Sequence, residues 1–282
     1  MTEAPPRAAL IDEGAARLRE QGITEPRREA VRIWADLAGL PSYTLPADDA
    51  PPAPEAIARF RQAVTRRAAG EPHAYVTGIA GFRRLTLRAD RRALIPRPET
   101  EGLVELVLAQ AGTGQVIDVG TGSGCIALAL ADEGRYRLVV GMDRSRDALG
   151  LAAENRSRTG LGVVLLAGDL LAAVGPGTMD AVVSNPPYLS EAEYQALDSS
   201  VRDHEPRAAL ASGGDGLADT RRLLGQAVRV LRPGGVVALE IDATRAAASL
   251  ALAAAAGLAM ATVRDDLFGR ARYLLARRSE SS

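Results

Sequence analysis

From Gln115 to Ala276 the chain alternates short aliphatic runs with longer stretches whose apolar residues recur at helical spacing. This alternation predicts strands at Gln115–Val119, Arg137–Met142, Val163–Ala167, Ala181–Ser184, Val236–Ile241, Ala259–Arg264 and Ala271–Ala276. Helices are expected at Cys125–Asp132, Arg146–Arg158, Leu217–Leu231 and Ala246–Ala256. Strands and helices in such alternation build a mostly parallel sheet with helices on both faces, so the fold class is α/β with a seven-stranded sheet. Open sheets of this kind bind ligands beyond the carboxyl ends of their strands. The loops that follow the strands are therefore where chemistry is expected.

Upstream the pattern changes. Residues 8–70 read as short helices, with Ala30, Val31, Trp34, Leu37 and Ala38 on one helical face and Ile57, Phe60 and Val64 on another. Breaks are expected at Gly22–Pro26 and in the Pro-rich segment Leu45–Pro54. Residues 76–93 alternate apolar and polar positions around Phe82, Leu85 and Leu87, as a hairpin does. In Leu94-Ile95-Pro96-Arg97-Pro98-Glu99-Thr100-Glu101, Pro98 suits the first turn of a helix, and Glu99 and Glu101 complement the positive end of its dipole. The expected organisation is a helical bundle over residues 1–75, a connecting β-hairpin over 76–93 and an α/β domain over 94–282.

Charge and composition exclude several classes. All 34 basic residues are Arg, and 35 acidic residues leave a net charge of −1. The first 75 residues hold ten Arg and eleven acids, so neither the whole chain nor its N-terminal part offers a wide basic surface for long nucleic acid. The hairpin departs from this balance, with Arg83, Arg84, Arg88, Arg91 and Arg92 against Asp90. Two readings are open for it: a solvated strand pair, or a surface along the cleft mouth that meets an acidic partner. The single cysteine, Cys125, excludes an internal disulfide and a Cys-rich zinc site, and its apolar neighbours mark a small core residue. His73 and His204 lack a partner at metal-ligand spacing, so no metal is expected and both histidines read as structural or substrate-packing residues. Met1–Arg7 lacks the pattern of a signal peptide, and no uninterrupted apolar segment is long enough to span a bilayer, so a cytoplasmic location without a membrane partner is expected.

Asp118-Val119-Gly120-Thr121-Gly122-Ser123-Gly124 lies between the first strand of the α/β domain and its helix. Glycines at alternate positions let the backbone turn tightly and approach a ligand with no Cβ in the way. Asp143 ends the next strand, where a carboxylate can accept hydrogen bonds from both hydroxyls of a ribose. A nucleoside-containing cofactor is indicated. The NAD fingerprint Gly-x-Gly-x-x-Gly fits poorly, because its last position is Cys125. The loop instead resembles the first motif of class I S-adenosylmethionine-dependent methyltransferases, whose Rossmann-like fold this pattern matches. That resemblance implies that Asp118 meets the cationic amino end of the cofactor, directly or through water, and that Gly168-Asp169 lies at the adenine edge. Asp169 reads equally well as a helix N-cap.

The fourth strand runs into Asn185-Pro186-Pro187-Tyr188. Two prolines fix two φ angles and remove two backbone donors, and Asn185 is held extended by the proline after it. The product is a stiff cluster of acceptors beside an aromatic ring, suited to a flat group with N–H donors. It resembles the [Asn/Asp/Ser]-Pro-Pro-[Tyr/Phe/Trp] tetrad of amino-methyltransferases, which act on adenine, guanine or glutamine. Asn185, Pro186 and Tyr188 are the implied catalytic residues; Asn185, Pro186, Pro187 and Tyr188 form the implied substrate clamp.

The tetrad occurs in an ordered set with Gly70-Glu71-Pro72-His73-Ala74-Tyr75-Val76-Thr77-Gly78, the 94–101 stretch, the glycine loop, Glu205-Pro206-Arg207-Ala208-Ala209-Leu210 and Gly213-Gly214-Asp215-Gly216-Leu217. The set resembles the HemK/PrmC family of glutamine N5-methyltransferases over residues 26–278. The resemblance implies methylation of the glutamine in the Gly-Gly-Gln motif of class I peptide chain release factors, with S-adenosylmethionine as cofactor and a helical N-terminal domain that helps to dock the release factor. It implies cofactor contacts at Gly120, Thr121, Gly122, Ser123, Gly124, Asp143 and Asn185, and aliphatic packing of Leu170 where the family often has an aromatic beside the adenine. The sequence departs from the family at Asp242, Arg245 and Asp265. Alternatives are a ribosomal-protein glutamine, adenine in DNA, and a module that binds the cofactor without catalysis.

Overall fold

The computed structural model describes residues 5–40 and 51–280. Most of the expected break at Leu45–Pro54 lies outside the described residues. The chain begins with α1 (Arg7–Glu20), α2 (Pro26–Ala38), α3 (Pro54–Ala68) and α4 (His73–Thr77), followed by the hairpin strands β1 (Ile79–Phe82) and β2 (Leu85–Arg88). Prolines open α2 and α3 at positions where no amide donor is required. The helices bury Leu10, Ile11 and Leu18 from α1, Ile33 and Trp34 from α2, and Ile57, Phe60 and Val64 from α3. Gly14 is what lets α1 and α3 meet: a Cβ there would lie 2.9 Å from the Phe60 ring. The α2 face differs from the expected one, since Ile33 and Ala35 are buried and Ala38 is exposed.

The α/β region continues with α5 (Pro98–Ala111), β3 (Thr113–Val119), α6 (Cys125–Glu133), β4 (Arg135–Asp143), α7 (Arg146–Thr159), β5 (Val164–Ala167) and β6 (Met179–Ser184). After β6 come three short helices, α8 (Glu191–Gln195), α9 (Ser199–Arg202) and α10 (Arg207–Leu210). The chain ends with α11 (Ala218–Val230), β7 (Leu231–Glu240), α12 (Ala246–Ala255), β8 (Leu258–Asp265) and β9 (Ala271–Arg278). The sheet has the order β5-β4-β3-β6-β7-β9-β8, parallel except where β9 runs antiparallel to its neighbours. Its central strands are buried on both faces, and their side chains alternate between two cores. Ile117, Val119 and Val182 pack with Leu223, Leu224 and Ala227 of α11. Val116, Ala181 and Val183 pack on the other face with Leu103, Val104 and Val107 of α5 and with α6. Phe82 and Leu87 of the hairpin join this second core.

Two compact units result: residues up to 79 with 198–204, and residues 80–197 with 205–282. The excursion through α9 thus belongs with the helical unit, although it is flanked in sequence by the α/β region. Among the described residues no helix is long and apolar enough to cross a membrane.

Candidate active site

The strand order reverses at β3. From β3 the chain proceeds outward to β4 and β5, then returns to place β6 on the other side. Such a reversal leaves a crevice beyond the carboxyl ends of the two central strands. The glycine loop follows β3 and the Asn-Pro-Pro-Tyr tetrad follows β6. Ser184 Oγ donates to the Val119 carbonyl at 2.6 Å, fastening the two strand ends to each other.

Gly120, Gly122 and Gly124 all have positive φ, at 72°, 57° and 84°. A Cβ on Gly120 would meet nothing within 4 Å, whereas one on Gly124 would press on Ala152 and Leu128 at 3.3 Å. The loop is held from below by two aspartates. Asp118 is fully buried; its Oδ2 accepts the Thr121 hydroxyl at 2.6 Å and the Ala127 amide at 3.2 Å, and its Oδ1 has no partner among the described residues. Burial, opposed by these bonds, pushes the Asp118 pKa up to about 7. Asp143 accepts the Gly122 amide at 2.9 Å and the Ser145 amide at 2.8 Å, so it sets both the loop and the start of α7. Gly141 permits this arrangement, because a Cβ there would stand 2.8 Å from Thr121 Oγ1.

At the end of β5, Asp169 is ion-paired with Arg222, and no helix begins after it, so the N-cap reading fails. Leu170 takes φ of 51°, a conformation that an L side chain adopts at a cost, and its side chain lines the crevice. In the tetrad, Asn185 Nδ2 donates to Thr100 Oγ1 at 3.1 Å, and Thr100 Oγ1 donates to Glu240 Oε2 at 2.7 Å. Burial pushes the Glu240 pKa up against the Thr100 bond and nearby Arg272. Burial and the Glu240 carboxylate push the Tyr188 phenol up to about 12. The chain after the tetrad is clamped by Leu189, whose amide donates to the Leu210 carbonyl and whose carbonyl accepts the Ser212 amide.

The crevice brings together Gly120, Thr121, Gly122, Ser123, Asp143, Asp169, Leu170, Asn185 and Pro187 of the expected residues. Asp118, Gly124, Pro186 and Tyr188 are not among the residues that line it. One wall was missed by sequence reasoning: the irregular Arg92–Arg97 segment and Thr100. Glu205, buried, holds that wall by accepting the Ile95 amide at 3.1 Å and pairing with Arg97. The available signal was the family-like 94–101 stretch itself, which carried no side-chain role when read alone. Cys125 also lines the crevice, but burial and Asp118 push its thiol up to about 12, far from a reactive thiolate.

The Arg-rich hairpin is largely neutralised within its own unit. Arg83 pairs with Glu133, and Arg88 and Arg92 pair with Asp90 and Glu154. An acidic partner is therefore not needed to balance these three side chains. His73 is likewise accounted for by Glu29 at 3.2 Å and Asp36 at 2.8 Å inside the helical unit.

Residues 99–217 match the methyltransferase small domain, and residues 9–78 match the PrmC N-terminal domain. The release factor glutamine methyltransferase of Cereibacter sphaeroides is 42% identical over 93% of this chain and 94% of its own length. That of Rhodospirillum rubrum is 38% identical over 95% of this chain and 84% of its own. The chain belongs to the release factor glutamine methyltransferase family. A methyltransferase structure from Pyrococcus furiosus, 20% identical, superposes with a TM-score of 0.53 over 68% of this chain and 88% of that one, in agreement with the fold.

For a release factor glutamine methyltransferase the cosubstrate is S-adenosylmethionine, and the residues present fit it. Asp143 is a carboxylate at the strand end where ribose hydroxyls are recognised. Ile95, Ile126 and Leu170 supply apolar walls for a flat base. The open space over Gly120 admits a ligand against the backbone, and the unpartnered Asp118 oxygen beneath the loop complements a cationic end.

Proposed function

We propose that this chain transfers a methyl group from S-adenosylmethionine to the side-chain amide nitrogen of the glutamine in the Gly-Gly-Gln motif of class I peptide chain release factors. The observation that carries this reading is the adjacency of the glycine loop and the Asn185 tetrad at the β3/β6 reversal, held by the Ser184–Val119 bond. A nucleoside site and an acceptor cluster for a planar nitrogen thus share one crevice.

An amide nitrogen is a poor nucleophile because its lone pair is delocalised into the carbonyl. Asn185 Oδ1 and the Pro186 carbonyl accept its N–H groups, which shifts electron density onto nitrogen and stabilises the positive charge that develops there. The Pro186-Pro187 turn keeps these acceptors at fixed positions, so the nitrogen is held in line for attack. Bound S-adenosylmethionine supplies an electrophilic methyl on a sulfonium sulfur. Tyr188 acts by packing, since its phenol remains neutral at physiological pH. The amide proton becomes acidic only after the methyl has arrived, so the clamp needs no dedicated base.

Specificity for a release factor is assigned to the helical unit, because the tetrad is shared by enzymes with different substrates. The test is incubation with labelled S-adenosylmethionine and, separately, release factor, its Gln→Ala variant, ribosomal protein and duplex DNA. Label is expected on the unaltered release factor alone. Label on DNA, on ribosomal protein in preference to release factor, or on the Ala variant contradicts the reading.

A further inference from the structure

We infer that Thr100 and Glu240 are positioning residues that set the orientation of the Asn185 amide, turning its oxygen toward the substrate nitrogen. The inference rests on the proposed methyl transfer to glutamine. It starts from a problem of symmetry: the two ends of an Asn side chain have nearly the same shape, but only the oxygen can accept the N–H groups of a substrate amide. An inverted Asn185 would present its own NH2 to the substrate and repel it.

The structure removes that ambiguity through two buried groups. Glu240 ends β7 and Thr100 lies in the first turn of α5, each 2% exposed. In the 2.7 Å contact the Thr100 hydroxyl is the donor and Glu240 Oε2 the acceptor. That commits its single proton. Thr100 Oγ1 can then only accept from Asn185, and the group 3.1 Å away is the NH2. The inverted amide would set oxygen against oxygen without a proton between them. The acceptor role of Glu240 is thus read out, through the Thr100 hydroxyl and alongside its own interaction with the Asn185 side chain, as the direction of Asn185 Oδ1. A chain of bonds that begins on a carboxylate also polarises the amide and makes Oδ1 a stronger acceptor.

The relay joins residues that are 85 and 140 positions apart in sequence, and neither Thr100 nor Glu240 needs to touch the reacting atoms. Thr100→Val deletes the relay. Glu240→Gln keeps the side-chain shape but brings an NH2 that can donate to Thr100 Oγ1, which frees the hydroxyl proton and admits the inverted Asn185. Thr100→Ser retains every bond.

The experiment measures methyl transfer to release factor by the full chain and by these three variants, with the affinity for S-adenosylmethionine measured separately. Thr100→Val and Glu240→Gln are expected to lower kcat by about ten- to a hundredfold, the cost of a misdirected buried polar group, while cofactor affinity stays unchanged. Thr100→Ser is expected to retain most of the wild-type kcat. Wild-type kcat in Thr100→Val and Glu240→Gln overturns the relay, as does a loss in Thr100→Ser equal to that in Thr100→Val. A neutron structure of the unaltered protein supplies a second test that needs neither a variant nor a substrate. The Thr100 hydroxyl deuteron is expected on the line to Glu240 and an Asn185 Nδ2 deuteron on the line to Oγ1; the reverse arrangement overturns the inference. Failure of the wild-type chain to methylate glutamine sinks the functional reading on its own, and the deuteron positions still decide the relay.

Discussion

Asp118 accepts the Thr121 hydroxyl at 2.6 Å with one carboxylate oxygen while its other oxygen, equally buried, has no partner among the described residues. The loop thus rests on a group whose charge is only half compensated, and its pKa is raised to about 7, mainly by burial. Because this folded value lies above the unfolded one, the contribution of Asp118 to stability is complete below about pH 4 and declines as the pH rises through about 7. The rise from 3.8 to about 7 corresponds to at most about 4 kcal/mol. Asp118→Asn is expected to flatten that part of the profile for the ligand-free protein. Denaturant titrations between pH 4 and 8 decide it, and parallel profiles for the two proteins would count against the assignment.

The helical unit carries titrations that run in both directions. Burial disfavours the charged His73 ring, but its hydrogen bonds to Asp36 and Glu29 outweigh burial and raise its pKa. Burial also opposes ionisation of Glu29, yet His73 and Arg67 lower its pKa to about 2. The His73 contribution is therefore complete below about pH 6.5 and lost as the pH rises through the raised value, while that of Glu29 is present above about pH 4.5 and lost toward pH 2. Hydrogen-exchange protection of α2 is expected to fall from pH 6 to 9 in the wild type and to change little over that range in His73→Gln.

Arg83 is one of the hairpin arginines open to a partner, and its geometry argues for a structural role. Its side chain pairs with Glu133 and donates to the Glu101 carbonyl at 3.0 Å. Arg83→Glu is expected to destabilise the α/β unit by about 3 kcal/mol, since it sets a carboxylate against a partly buried carboxylate. Arg84→Glu, at an exposed position, should stay within about 0.5 kcal/mol of wild type. Thermal unfolding of the two single variants separates them; equal midpoints would return Arg83 to the solvated class.

Ser184→Ala removes the bond that fastens β6 to β3 and leaves the Val119 carbonyl without that donor. A stability loss of about 1–3 kcal/mol is expected. Because the tetrad moves relative to the loop, kcat should fall further than cofactor affinity. A larger loss of affinity than of kcat would show that the bond serves the loop alone.

Much of the α/β unit was legible because its signals are local. Period-2 and period-3.6 patterns place strands and helices within a few residues, as with Gln115–Val119 against the observed Thr113–Val119. The exception among the strands is β7, which begins at Leu231, five residues before the expected Val236, because Arg232-Pro233-Gly234-Gly235 reads as a turn but continues the strand. The helices α8, α9 and α10 are four or five residues long, too short for a periodic signal. The glycine loop, Asp143 and the tetrad could be named from strand ends alone. Thr100, Glu205 and Glu240 could not be given roles, since each acts through a partner 85 to 140 residues away that only the folded sheet brings near. Asp118 shows the reverse case: its position in the motif was legible, and its complete burial beneath the loop was not.

The central claim is methyl transfer to a glutamine amide held by Asn185. Its most direct test is mass-spectrometric mapping of release factor after incubation with S-adenosylmethionine and either the wild-type chain or Asn185→Ala. One methyl group is expected on the glutamine of the Gly-Gly-Gln motif with the wild type, reduced by at least about a hundredfold in rate with the variant. A methyl group on any other residue, or an undiminished rate with Asn185→Ala, would contradict the account.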